Sequence, residues 1–145
     1  EKAFKEDDQV LIEEFISGRE FTIGVFKTDA QVITLPITEV VSKKEFFDYE
    51  AKYEGASTEV TPAQVEEHVA EQIRDAAKRI YNIFNCRGVV RIDFIYHQES
   101  GQPFMLEVNT IPGQSEASIV PQQVKAMGWS LDDFYSTLVQ EAFNS

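Results

Sequence analysis

Residues 89–113, VVRIDFIYHQESGQPFMLEVNTIPG, constrain the fold of this chain more than any other stretch. Two β-rich runs flank the polar segment Gln98, Glu99, Ser100, Gly101 and Gln102, which predicts a hairpin with a five-residue loop. With that loop symmetric about Ser100, Asp93 lies opposite Glu107 and Arg91 opposite Asn109. Alternation then gathers Arg91, Asp93, Glu107 and Asn109 on one face, with Ile92, Phe94, Phe104, Leu106 and Val108 on the other. Like charges directly opposite each other destabilise a strand pair, so the arrangement asks for positive charge between the carboxylates. A divalent cation held by Asp93, Glu107 and Asn109 through oxygen supplies it. The plainer alternative is a solvated face on which two carboxylates are tolerated. Carboxylates gathered on one face of a rigid scaffold favour the metal.

Around this hairpin the chain reads as a single α+β unit, an antiparallel sheet packed with helices. Residues 10–16 and 19–26 predict strands, Ser17 and Gly18 separating them. Residues 31–35 form a third strand closed by Pro36, and residues 37–41 continue it after a kink. Residues 42–61 keep neither period yet carry Phe46, Phe47, Tyr49 and Tyr53, which predicts an irregular lid rather than disorder. Thr61 as N-cap, Pro62 behind it and Gln64 completing a capping box predict a helix start. Its stripe runs through Val65, Val69, Ile73, Ala76, Ala77, Ile80, Ile83 and Phe84 to a stop at residues 85–88. Thr110 to Ser118 make a turn rich in small residues, where backbone amides can form an anion-binding concavity. A short helix follows over residues 118–127, and Ser130 with Asp133 caps a final amphipathic helix. His68 and His97 have no partner at metal spacing and read as surface histidines.

The 145 residues suit one domain with a real core. A net charge of −12 argues against a nonspecific nucleic-acid binder or an anionic-membrane binder. One cysteine, Cys86, excludes an intrachain disulfide and makes a reducing compartment, the cytoplasm, the expectation. No apolar run approaches a membrane span, and no signal-peptide pattern stands at the N-terminus.

At Arg91-Ile92-Asp93, Leu106-Glu107-Val108-Asn109-Thr110 and Pro112-Gly113 the sequence resembles the ATP-grasp superfamily, and specifically the C-terminal part of the D-alanine–D-alanine ligase family. Residues 10–18 followed by Glu20, the aromatic segment 47–53, residues 88–93 and residues 118–121 support the same resemblance in order along the chain. It covers essentially the whole chain. It implies residues 1–145 to be one C-terminal ATP-grasp subdomain, the second half of the fold, with the N-terminal and central domains absent. The implied reaction joins two D-alanine molecules in an ATP-dependent step for peptidoglycan synthesis in the bacterial cytoplasm, with Mg²⁺ or Mn²⁺ as metal.

The resemblance also implies roles for individual residues. Glu13 to Ile16 match the strand that lines adenine, with Glu14 and Ile16 reading its edge through backbone groups. Relatives often carry lysine where Glu14 stands. Glu20 matches the acceptor of the ribose hydroxyls; on its own it would be a solvated strand residue. Lys52 reaches phosphate, and Tyr53 closes the lid over the second D-alanine and favours a dipeptide product. Asp93, Glu107 and Asn109 match the magnesium ligands, in agreement with strand parity. Arg91 and the Gly113 amide match groups that stabilise the tetrahedral intermediate, while Ser118 and Ile119 match positions that hold the carboxylate of the second D-alanine. The isolated chain is expected to be inactive, with an apolar face that permits a homodimer. Rival readings are another ATP-grasp carboxylate–amine ligase, a non-catalytic nucleotide- or metal-binding module, and a calcium-stabilised structural domain.

Overall fold

The computed structural model describes residues 2–28, 31–42 and 57–144. Among these, six strands form one sheet: β1 (Arg19–Thr28), β2 (Gln31–Thr34), β3 (Thr38–Ser42), β4 (Ser57–Val60), β5 (Val90–His97) and β6 (Gln102–Asn109). Three helices accompany it, α1 (Glu67–Ile83), α2 (Ile119–Ala126) and α3 (Leu131–Asn144). The sheet runs β4-β3-β1-β5-β6 with every pairing antiparallel, and β2 pairs β1 beyond the end of β3.

β1 is the central strand, and its alternation serves both faces. Phe21, Ile23 and Val25 share one face with Ile92, Phe94 and Tyr96 of β5. There they meet Val69, Ala70, Ile73, Ala77 and Tyr81 of α1 in the larger core cluster. Phe26 points the other way and joins Leu35, Val120, Val124 and Phe134 under α2 and α3. Its ring stands edge-on to Phe134 at 5.2 Å and to Trp129 at 5.8 Å. Fully burying a side chain of this size removes about 1.5–3 kcal/mol worth of apolar surface from water. Among the described residues α1 packs on the first face, and α2 and α3 pack on the second at the Phe26 end.

Several sequence expectations need correction. No strand forms over residues 10–16: Leu11 and Ile12 are 81% and 89% exposed, and no strand pairing reaches them. β1 already has β3 or β2 on one side and β5 on the other, so this stretch has no free edge to join there. The helix begins at Glu67, not after Thr61. The expected capping groups are committed elsewhere: the Thr61 hydroxyl pairs with that of Thr38 at 2.6 Å, and the Ala63 amide donates to Ile37 C=O at 2.7 Å. Arg19, which donates through Nε and Nη2 to Glu39, also donates through Nη2 to the Gln64 carbonyl at 2.9 Å. Its guanidinium pKa is raised, first by the Glu39 hydrogen bond. The helix stripe omitted Tyr81, which is buried and donates to Gly88 C=O at 2.8 Å, whereas Ile83 and Phe84 are exposed. The expected irregular segment is bounded too widely, because Ser57–Val60 is strand, with Val60 opposite Glu39 and Thr58 opposite Val41. Its remainder, with Lys52 and Tyr53, lies outside the described residues.

The hairpin register holds by a different route from the one expected. His97 pairs with Gln102, so four residues rather than five form the loop. The strands then run one residue out of the predicted register, Phe94 opposite Met105 and Ile95 opposite Phe104. An irregularity between Asp93 and Phe94 leaves Leu106 as the extra residue of β6 and restores Asp93 opposite Glu107 and Arg91 opposite Asn109. Phe104 therefore shares the face of Ile95, not that of Phe94. The C-terminal half agrees with expectation: α2 lies within residues 118–127, and Ser130 caps α3, its Oγ accepting from the Asp133 amide at 3.0 Å.

Candidate functional site

Away from the Phe26 end, the second sheet face carries the polar residues that alternation places there: Glu20 and Thr22 on β1, Arg91 and Asp93 on β5, Glu107 and Asn109 on β6, and Glu59 on β4. Asp93 is only 8% exposed. Its Oδ1 accepts from the Thr22 hydroxyl and from Arg91 Nε at 3.0 Å, and its Oδ2 from Arg91 Nη2 at 2.9 Å. The same Nη2 lies 3.6 Å from Glu107 Oε1. Arg91 thus supplies the positive charge that the facing carboxylates demand. Burial favours the neutral guanidine, but the hydrogen bond and charge of Asp93, with the charges of Glu107 and Glu59, outweigh it and raise the Arg91 pKa. A forked guanidinium on a carboxylate fixes both side chains, which a lysine could not do.

The donor set also bears on a metal. Among the described residues, no three of His, Cys, Asp and Glu gather into a metal-binding group. The hairpin instead offers two carboxylates and one amide oxygen. Asn109 Oδ1 accepts from the Ile111 amide at 3.1 Å, which leaves a second lone pair on that oxygen. Hard oxygen donors of this kind fit Mg²⁺, a cation that completes its shell with water and phosphate.

A second group of predicted residues meets at the turn before α2. The Gly113 backbone approaches Ser118 so closely that a β-carbon would come within 2.7 Å of the serine Oγ. That hydroxyl pairs with Ser115 Oγ at 2.8 Å, and the Ser118 amide donates to Ser115 C=O at 2.8 Å. Ile119 opens the helix, where first-turn amides have no intrahelical acceptor. Among the described residues no hydrogen bond or ion pair joins this turn to the Arg91–Asp93 pair. Glu13 and Glu14 are exposed and Ile16 half-buried in the N-terminal stretch, which forms no strand.

Sequence reasoning missed two residues. Thr22 orients Asp93, and the signal was available: it alternates with Glu20 on one face, between the apolar Phe21 and Ile23. Gln123 is completely buried beside Val120 and Val124. A glutamine at a core position of a short helix is the kind of polar anomaly that asks for partners. It has three. Oε1 accepts from the Gly24 amide at 2.9 Å, and Nε2 donates to Thr22 C=O and to Thr38 Oγ1, each at 3.0 Å.

The family model described as D-ala D-ala ligase C-terminus matches residues 1–140. A D-alanine–D-alanine ligase of Phocaeicola vulgatus is 46% identical over 143 residues, covering 99% of this chain and 44% of the relative. One from Flavobacterium johnsoniae is 44% identical over 140 residues, covering 97% of this chain and 43% of its own length. The chain therefore spans less than half the length of the curated relatives it matches. The crystal structure of a Bacillus anthracis D-alanine–D-alanine ligase superposes with a TM-score of 0.80 at 29% identity, over 99% of this chain and 46% of that one. Its complex with ATP superposes at 0.73 and 28% identity, over 91% and 42%. No helix of the described residues is long and apolar enough to cross a membrane. With the sheet, the helices and the order of its motifs all in agreement, this chain belongs to the D-alanine–D-alanine ligase C-terminal family, with the α+β architecture of an ATP-grasp subdomain.

Proposed function

We propose that this chain supplies the metal and second-substrate half of an ATP-dependent ligase that joins two D-alanine molecules into D-alanyl-D-alanine for the bacterial cell wall. The observation that carries the reading is Asp93 opposite Glu107, with Arg91 forked onto Asp93, within a chain whose family match spans residues 1–140. ATP and the first D-alanine would lie between this unit and the other domains of the ligase, in the cytoplasm.

The reaction has two steps. The carboxylate oxygen of the first D-alanine bonds the γ-phosphorus of ATP as the bond to ADP breaks. The amine of the second D-alanine then bonds the acyl carbon, loses a proton, and phosphate leaves with its C–O bond. Asp93, Glu107 and Asn109 would hold Mg²⁺, which supplies charge neutralisation at the phosphates. Arg91 and the Gly113 amide would stabilise the oxyanion of the tetrahedral intermediate. The Ser118 hydroxyl and the Ile119 amide would hold the second carboxylate, Glu20 the ribose, and backbone groups of Glu14 and Ile16, next to Glu13, the adenine edge. Lys52 and Tyr53 keep the phosphate and lid roles that the resemblance implies. A reactive acyl phosphate requires water to be kept out of such a site.

The test is phosphate release from ATP, dependent on D-alanine and Mg²⁺. The isolated chain should show none, since alignment worth about 7–11 kcal/mol is lost when the first substrate has no site. The complete ligase polypeptide carrying this segment should turn over, and its product should be the dipeptide. Release without a D-alanine requirement, or a product with a different amine, would favour another carboxylate–amine ligase.

A further inference from the structure

β2 stops at Thr34 and β3 starts at Thr38, so the β1 edge between Thr22 and Gly24 faces a break in its neighbouring strand. The Gln123 side-chain amide fills that break. It acts as a substitute peptide group, accepting from the Gly24 N–H and donating to the Thr22 carbonyl, and its second N–H reaches the Thr38 hydroxyl. The fit is tight: a β-carbon on Gly24 would stand 2.9 Å from Gln123 Oε1 and 2.6 Å from Leu35 Cδ1. Among the described residues no buried side-chain nitrogen or oxygen lacks a partner, those of this junction included.

The two ends of this junction are the two parts of the site. Four residues before Gln123, Ile119 opens α2 directly after Ser118. Thr22, whose carbonyl Gln123 binds, gives its hydroxyl to Asp93. Among the described residues no hydrogen bond or ion pair joins the serine turn to Asp93, yet one buried glutamine spans from the helix that follows the turn to the backbone of β1, whose Thr22 holds Asp93. We propose that Gln123 is a positioning residue of the ligase site, setting the distance and angle between the second-substrate turn at Ser118 and the Thr22–Asp93 pair. The inference rests on the reading of the site given above. A polar group committed to one fixed set of partners specifies geometry as well as stability.

The test uses the complete ligase polypeptide carrying this segment, with Gln123→Leu, which keeps the bulk and removes all three hydrogen bonds. Val124→Ala, the adjacent fully buried apolar residue, serves as a control that weakens the same helix without touching the junction. Both variants should lower Tm. Gln123→Leu alone should raise KM for the attacking D-alanine roughly tenfold or more, in line with the cost of a misplacement near 1 Å. It should also speed hydrogen exchange at the Gly24 amide. Should Gln123→Leu fail to fold, Gln123→Asn replaces it, with an amide drawn back by one methylene, and an intermediate KM rise is expected. A KM no different from that of Val124→Ala, in whichever variant folds, overturns the positioning role. Wild-type protein without D-alanine-dependent turnover would instead remove the functional reading, and this inference with it.

Discussion

Gly113 and Ser118 are held so close that a β-carbon on the glycine would stand 2.7 Å from the serine Oγ and 3.4 Å from its Cβ, displacing the hydroxyl. The serine hydroxyl is pinned from the other side by Ser115 at 2.8 Å. The groups proposed for oxyanion and carboxylate binding are therefore close neighbours.

Gly113→Ala should separate stability from catalysis. The turn is exposed and the serine hydroxyl can swing aside, so unfolding free energy should change by about 0.5 kcal/mol or less. Swinging it aside moves the group proposed to hold the second carboxylate, so kcat/KM of the complete ligase should fall by roughly tenfold to hundredfold. Urea melts and steady-state kinetics check both halves, and unchanged kinetics would remove the turn from the site.

Arg91 is the cation that lets Asp93 face Glu107. Replacing it with methionine keeps the stem and leaves two like charges across one strand pair, one of them nearly buried. Losing one partner of a buried ion pair costs about 3–5 kcal/mol, and the partial exposure of Glu107 puts this case at the low end. If the hairpin oxygens hold Mg²⁺, the cation should substitute in part for the guanidinium. Millimolar Mg²⁺ should then raise the Tm of Arg91→Met by more than it raises the wild type, and thermal melts with and without the ion decide it.

Tyr81 links α1 to the start of the hairpin through its hydrogen bond to Gly88. Burial, with smaller effects from Cys86 and Glu141, pushes its phenol from 10.0 up to about 12. The folded state then keeps a proton that the unfolded state gives up. The stability this provides is fully present below pH 10 and is lost as pH rises towards 12, at about 1.4 kcal/mol per pH unit in that window. Tyr81→Phe should lose about 1 kcal/mol at neutral pH through the missing hydrogen bond. Its stability should fall less steeply than that of the wild type between pH 10 and 12. Urea titrations of both proteins across that range check the sign.

The sequence was most legible where one period dominates. Alternation in β1 and β5 and the cap at Ser130 follow local rules, and the structure keeps them. The start of α1 was misread because Thr61, Pro62 and Gln64 satisfy a local capping pattern while their polar groups serve Thr38 and Arg19, partners far off in sequence. Residues 10–16 have strand composition, but both edges of β1, the strand that follows them, are already paired, a property of topology that no local window contains. The partners of Gln123 escape a local reading for the same reason, since they lie 85, 99 and 101 positions away. The facing pair Asp93 and Glu107 was read correctly through two compensating differences, a loop one residue shorter than expected and one extra residue at Leu106.

That compensation is itself open to test. Leu106 has no partner of its own, since Met105 pairs with Phe94 and Glu107 with Asp93 on either side of it. Deleting Leu106 should let the two flanking registers join into one regular ladder, with Asp93 still opposite Glu107 and Arg91 still opposite Asn109. The side chain is 47% exposed, so little core is lost, and the principal change is less local twist. Deleting Val108 should behave differently. It draws Asn109 into the adjacent position, turns it to the other face, and removes an apolar residue packed against the core. Deletion of Leu106 should therefore leave most of the D-alanine-dependent turnover of the complete ligase, while deletion of Val108 abolishes it and lowers Tm further. Equal damage from the two deletions would mean that the bend at Leu106, rather than the register it restores, is what the site requires.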